Sequence, residues 1–221
     1  MMESQDHSPL VQEYLQNLLI GNRSNCSAIA HQFLNQNHTI QELYEEVFKQ
    51  ALYEVGRLWE TNQITVATEH LATAITESIL NELFEQIISG KKFNKKVVVA
   101  CVEGEYHQVG IKMVADVFEI HGWDSFFPGT GMPINALVQY ISEIKPDLLA
   151  ISMSVYFSFA NLRNMLEQIR ANFPDLQILV GGQAFTRITD DVIKRLGNVV
   201  QLSDLYLLEK YIDAINITHN N

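Results

Sequence analysis

Up to about residue 90 the apolar positions recur at spacings of three and four, the period of helices that bury one face. Ser8-Pro9 supplies a cap and a first helical residue. Leu10, Val11, Tyr14, Leu15, Leu18 and Leu19 follow as a stripe, and Gly21 stops the helix. Ser24 or Asn25 offers a cap for a second helix carrying Ala28, Ile29, Phe33 and Leu34. Thr39-Ile40-Gln41-Glu42 has the capping-box spacing and opens a third, striped by Ile40, Leu43, Val47, Ala51, Val55 and Leu58. Thr65 caps a fourth, with Leu71, Ile75, Ile79 and Leu83 on its apolar face. Four such helices with short connections predict an antiparallel bundle.

Beyond Gly90 the period changes. Apolar runs of strand length stand at residues 97–102, 148–152 and 177–180, with a weaker run at 123–127 and a short one at 199–202. Helical patterns separate or follow them at 109–121, 134–143, 159–173, 188–196 and 204–217. Strand and helix in alternation predict a parallel sheet covered on both faces. Five strands suggest the flavodoxin-like order 2-1-3-4-5. The expected class is α/β: a four-helix bundle over residues 1–92, then a Rossmann-like, doubly wound five-stranded domain over residues 93–221.

A chain of 221 residues, 47% of them hydrophobic, can bury two cores. The net charge is -11, from 15 basic and 26 acidic residues, and no Lys/Arg cluster stands out. Lys91, Lys92, Lys95 and Lys96 flank the junction and read as a solvated hinge. Direct nucleic-acid binding is therefore not expected, because phosphate contacts dominate such affinity. Cys26 and Cys101 read as buried thiols of a reducing compartment. No cationic, apolar leader opens the sequence and no apolar run is long enough to span a bilayer, so a cytoplasmic protein away from membranes is expected.

Ligands of a doubly wound sheet bind where the loops after the strands converge. The first such loop holds Glu105, His107 and Gly110. The second holds Gly129, Thr130 and Gly131, the third Ser152, Met153 and Ser154, and the fourth Gly181 and Gly182. Small and hydroxyl residues dominate, which suits close backbone approach to a large ligand. Each element alone is ordinary turn chemistry; their occurrence together, in order, carries the weight. A phosphorelay receiver would need an aspartate ending the third strand, where serine and methionine stand. The Gly129-Thr130-Gly131 loop lacks the full dinucleotide fingerprint.

The run Glu105-x-His107-x-x-Gly110 resembles the D-x-H-x-x-G signature of cobalamin-binding domains, and the ordered loops resemble the rest of that domain. The resemblance implies that His107 is the lower axial ligand of cobalt and displaces the cofactor's own base. It implies that Glu105 accepts a hydrogen bond from the other ring nitrogen and that Gly110 relieves crowding at the tail entrance. Ser152 would bond the tail base, and Gly181 and Gly182 would leave room for the tail. Glu105 replaces the usual aspartate, and Ser154 stands where threonine or leucine is common.

In the helical half, Trp59 is followed after nine residues by Glu69-His70. This spacing resembles the cap of CarH-type adenosylcobalamin photoreceptors. It implies that the helical bundle covers the upper face and that Trp59, Glu69 and His70 gather at one end of it to enclose the adenosyl group. Two departures matter. CarH-type repressors carry an N-terminal helix-turn-helix domain, whereas this sequence starts at the bundle. They also place histidine after the tryptophan, where Glu60 stands here, so the upper ligand after photolysis must be another group. The expected cofactor is adenosylcobalamin. The expected function is a non-enzymatic sensor, of light, that signals to a separate regulatory protein or by homo-oligomerisation. The alternative is a corrinoid carrier of a methyltransferase system.

Overall fold

A computed structural model describes residues 8–87, 92–188 and 199–218. The chain divides into two compact units, Met1–Gln86 and Ile87–Asn221.

In the first unit α1 spans Pro9–Leu19, α2 Arg23–Asn35, α3 Ile40–Glu42, α4 Lys49–Glu60 and α5 Val66–Ile87. Helix α3 runs into α4 through a π-helical segment, Leu43–Phe48, where periodicity predicts plain α-helix. Leu43, Tyr44, Val47 and Phe48 are all buried there. The wider turn lets adjacent pairs of large residues share one buried face. Tyr14 of α1 stacks on Phe48, with ring centroids 5.1 Å apart. Its hydroxyl lies 3.3 Å from the Thr76 hydroxyl of α5. Burial pushes the Tyr14 phenol well above its ordinary range.

Three local expectations change. The cap of α2 is Asn22, whose side chain accepts the Asn25 N–H at 3.2 Å, not Ser24 or Asn25. Gly21, at φ 73°, turns the chain so that Asn22 is the residue in capping position. On α5 the buried stripe runs through Ala72, Ile75, Ile79 and Leu83, while Leu71 is exposed. Both Leu71 and Ala72 lie near the edge of a 3.6-residue stripe, and the smaller residue takes the crowded side. The third change concerns the lysines of the junction. Lys92 pairs with Glu119 at 3.1 Å and Asp124 at 3.0 Å, and Lys95 lies 5.2 Å over the Trp123 ring, so these two side chains have defined partners, Lys92 while staying exposed.

The second unit is a five-stranded parallel sheet: β1 Lys96–Cys101, β2 Asp124–Phe126, β3 Leu148–Ser152, β4 Gln177–Gly181 and β5 Val199–Gln201. Its order is β2-β1-β3-β4-β5, the order the strand count suggests. Helices α6 (Val109–Ile120), α7 (Ile134–Ile144), α8 (Phe159–Asn172) and α9 (Leu205–Thr218) cover it. The helix expected at 188–196 lies outside the described residues but for Ile188. Val98, Leu149 and Ile178 pack with Leu137 of α7 and Leu162 of α8 in one core cluster. Both faces being buried explains why β1 and β3 read as unbroken apolar runs. Helix α9 is pinned near α6 by Asn216, which accepts the Trp123 indole N–H at 3.0 Å. No described helix is long and apolar enough to cross a membrane.

The register sets the binding edge. Cys101 of β1, Ser152 of β3 and Gly181 of β4 are partners across the sheet, so three strands end in one row. The chain turns from β1 to β2 on one side and to β3 on the other, which opens a crevice at the carboxyl end of β1.

The α3 cap carries a pH prediction. Thr39 and Glu42 form a reciprocal capping box. The Thr39 N–H donates to the Glu42 carboxylate at 2.7 Å and, despite some opposing burial, holds its carboxyl below the ordinary value. A depressed folded value means that the stabilisation is present above the unfolded value of about 4.3 and is lost as pH falls through the folded one. Glu42→Ala should lower the thermal midpoint at pH 7, and its gap to wild type should close below about pH 4. A gap independent of pH would show that the carboxylate charge is not what caps the helix.

Candidate cofactor site at the sheet edge

The loop after β1 binds its neighbours on both sides. Glu105 is only 3% exposed, and burial by itself would raise its carboxyl. The hydrogen bond and charge of His107, together with the N–H groups of Val155 and Ser154, reverse this and lower it below the ordinary carboxylate value. One carboxylate oxygen engages His107 Nδ1. The other accepts the Ser154 N–H at 3.2 Å and the Val155 N–H at 3.1 Å. The carboxylate thus joins the first loop to the third across the crevice.

The His107 side chain is 58% exposed. A carboxylate partner on Nδ1 fixes the tautomer of a neutral imidazole and leaves Nε2 as its metal-donor nitrogen. Cys101 lies directly beneath. Burial, with the Glu105 charge adding to it, pushes its thiol up to about 12. It therefore stays protonated, and its Sγ donates to the His107 carbonyl at 3.5 Å. Among the described residues no group of three or more His, Cys, Asp or Glu could hold a bare metal ion. A single oriented imidazole suits a metal whose other positions come from elsewhere.

The remaining sheet-edge residues take varied positions. Ser152 is buried at the end of β3, its carbonyl accepting the Val102 N–H at 3.0 Å. Ser154 is half-buried beside Glu105. Gly110 lies in the first turn of α6, where an added Cβ would meet nothing within 4 Å. Gly129, in the second loop, is similarly open. The glycine pair is different. A Cβ on Gly181 would come within 2.8 Å of the Leu202 carbonyl oxygen, and one on Gly182 within 2.5 Å of that of Met153. Gly182 also holds φ 108°, which side chains disfavour. The chain's own backbone thus requires glycine at both positions, apart from any ligand.

In the helical unit Trp59 lies one residue before the end of α4 and is 46% exposed. Residues 61–65 turn the chain, and Glu69 and His70 fall in the opening turns of α5. Glu69 engages His70 Nδ1 and accepts the Thr73 hydroxyl at 3.2 Å. A carboxylate thus engages an imidazole by Nδ1 in both units.

Two residues escaped the sequence reading. Helix α7 starts after Pro133, which offers no side-chain cap, and Glu103 of the first loop accepts the Ile134 N–H at 3.2 Å. Tyr106 rests against the second loop, its ring 3.2 Å from where a Gly131 Cβ would lie. A helix start without a capping residue was the available signal for Glu103.

Comparison with known proteins identifies the family. Two family profiles, each described as a B12 binding domain, match residues 95–202 and 10–84. The chain belongs to the B12-binding domain family. The site residues fit a corrinoid, since a single imidazole held at Nδ1 by Glu105 would meet a metal whose other donors the ligand itself brings. The chain is 27% identical over 172 residues to trimethylamine corrinoid protein 1 of Methanosarcina acetivorans, covering 75% of each. It is 28% identical over 142 residues to the HTH-type transcriptional repressor CarH of Myxococcus xanthus, covering 64% of this chain and 47% of the repressor. It thus spans about half the length of that relative. The fold matches the monomethylamine corrinoid protein of Methanosarcina barkeri with a TM-score of 0.78 at 14% identity, over 91% of this chain and 96% of the other.

The glycines give a paired test. Gly182→Ala should cost about 3 kcal/mol or more, because strain and a backbone clash add. Gly110→Ala should leave the cofactor-free protein unchanged or raise its stability by up to about 1 kcal/mol, as expected for a helical glycine. Chemical denaturation of both variants checks this. A tolerated Gly182→Ala would overturn the close approach of the third and fourth loops.

Proposed function

We propose that this chain is a non-enzymatic sensor that binds adenosylcobalamin and responds to light. The observation that carries the reading is His107, exposed at the crevice and held through Nδ1 by buried Glu105, in a chain of the B12-binding family. His107 Nε2 would take the cobalt as lower ligand, and Glu105 would keep the ring in place and raise its basicity. Ser152 would meet the displaced nucleotide tail, Gly110 would leave it passage, Gly181 and Gly182 would let the third and fourth loops close up beside it, and Gly129 and Ser154 would line the crevice. Residues 93–221 would form the cobalamin domain and residues 1–92 its cap.

Trp59, Glu69 and His70 support the choice of the adenosyl form. In the CarH-type pattern these residue types at this spacing enclose that group. Trp59 would provide apolar surface, and the Glu69–His70 pair polar contacts. Bound adenosylcobalamin supplies a cobalt–carbon bond that visible light breaks. Loss of the adenosyl group would remove the contacts that Trp59, Glu69 and His70 make with it and so would bias the helical unit between two states. The net charge of -11 favours output through a protein partner or self-association over direct DNA contact. A cytoplasmic location fits this role.

A second reading, a corrinoid carrier in methyl transfer, is favoured by the match across three quarters of the trimethylamine corrinoid protein. The two separate on cofactor preference and light response. The sensor should bind adenosylcobalamin more tightly than methylcobalamin in the dark, by about tenfold, equivalent to about 1.4 kcal/mol. Illumination should change both its visible spectrum and its elution volume. Trp59→Ala should keep corrinoid binding and lose the preference. Equal affinity for the two forms, with an elution volume indifferent to light, contradicts the sensor and favours the carrier.

A further inference from the structure

Two aromatic side chains stand in water at the mouth of the sheet. Phe157 is 94% exposed and Tyr106 is 73% exposed. Scattered exposed aromatics are ordinary, and what distinguishes these two is their anchorage. Tyr106 immediately precedes His107, and its ring leans on Gly131 of the loop after β2. Phe157 belongs to the short 3-10 turn Tyr156–Ser158 after β3. It comes two residues after Val155, whose N–H is held by the same Glu105 carboxylate that holds His107. Because β1 lies between β2 and β3, one aromatic is anchored on each side of the His107 loop. The turn is braced by a surface stack, since Tyr156, itself exposed, lies on Phe159 at 6.3 Å between centroids and 14° between planes.

We propose that Tyr106 and Phe157 are cofactor-contacting residues that a corrin ring covers when His107 takes its metal. This rests on the reading of His107 as the cobalt ligand. A corrin is a broad, largely apolar plate, and the site shows polar anchoring at its centre with apolar surface on either flank. Such a distribution fits a macrocycle better than a small polar ligand, which would leave both rings wet. Covering the rings removes apolar surface from water, so they contribute affinity that the coordinate bond does not. Because they are exposed without the ligand, replacing them leaves the core intact.

The test is titration of hydroxocobalamin, and separately of aquocobinamide, which lacks the nucleotide tail, into the full chain. Absorbance reports binding, and melting of the cofactor-free protein reports folding. Tyr106→Ala and Phe157→Ser should each weaken both corrinoids by about tenfold. Their melting points and the shape of the saturated spectrum should stay those of wild type. Tyr106→Phe should bind like wild type, because the ring is what acts. Wild-type affinity in both truncated variants would overturn the inference while leaving the His107 site standing. A wild-type chain that binds neither corrinoid would overturn the site and the inference together. Weakening of cobalamin alone, with cobinamide unaffected, would place the rings against the tail and would also overturn it.

Discussion

A buried carboxylate that must be satisfied organises the edge at which the strands of this sheet end. Glu105 is almost wholly removed from water and carries a negative charge. Such a group is tolerated only with several strong donors. It finds them in His107 Nδ1 and in two consecutive backbone N–H groups of the loop after β3. The donors come from opposite sides of the crevice, so satisfying the charge also fixes the crevice. The same interaction sets the orientation of the imidazole. Removing the carboxylate would thus release the ring and the third loop together, which is why second partners of metal-binding histidines matter so much.

The first loop is the hub for the others. Glu103 caps α7 and so ties the second loop, and the exposed ring of Tyr106 lies beside Gly131 of that loop. Asn161 of α8 donates to the Glu103 carbonyl at 3.1 Å and so joins the helix after β3 to the same loop. A rigid first loop would suit the proposed ligand, whose metal must meet one nitrogen. The long strands beneath, matched in register at Cys101, Ser152 and Gly181, give that loop its platform.

Much of this was legible in the sequence, for identifiable reasons. Strands buried on both faces read as continuous apolar runs, so β1, β3 and β4 could be placed within a residue or two. The weaker run at 123–127 shrank to the three residues of β2. Among Asn22, Ser24 and Asn25, all capping types, composition could not choose, and the backbone turn at Gly21 did. The π-helical segment could not be seen because its consequence, a wider buried face, resembles a generous α-helical stripe. At the site, the Glu105 to His107 spacing is local and readable. The grip of Glu105 on Ser154 and Val155, and that of Glu103 on Ile134, span 49, 50 and 31 residues. Such pairs depend on strand order, which no local window contains.

One nitrogen atom decides how the metal would be held, and magnetic resonance can identify it. Cob(II)alamin bound to the protein has an unpaired electron that couples to its axial nitrogen. In chain grown with ordinary histidine the paramagnetic resonance lines should split into triplets. In chain grown with nitrogen-15 histidine they should become doublets, and in His107→Ala the histidine-dependent splitting should vanish. Triplets that persist after isotope labelling would place the cofactor's own base, and not His107, on the metal.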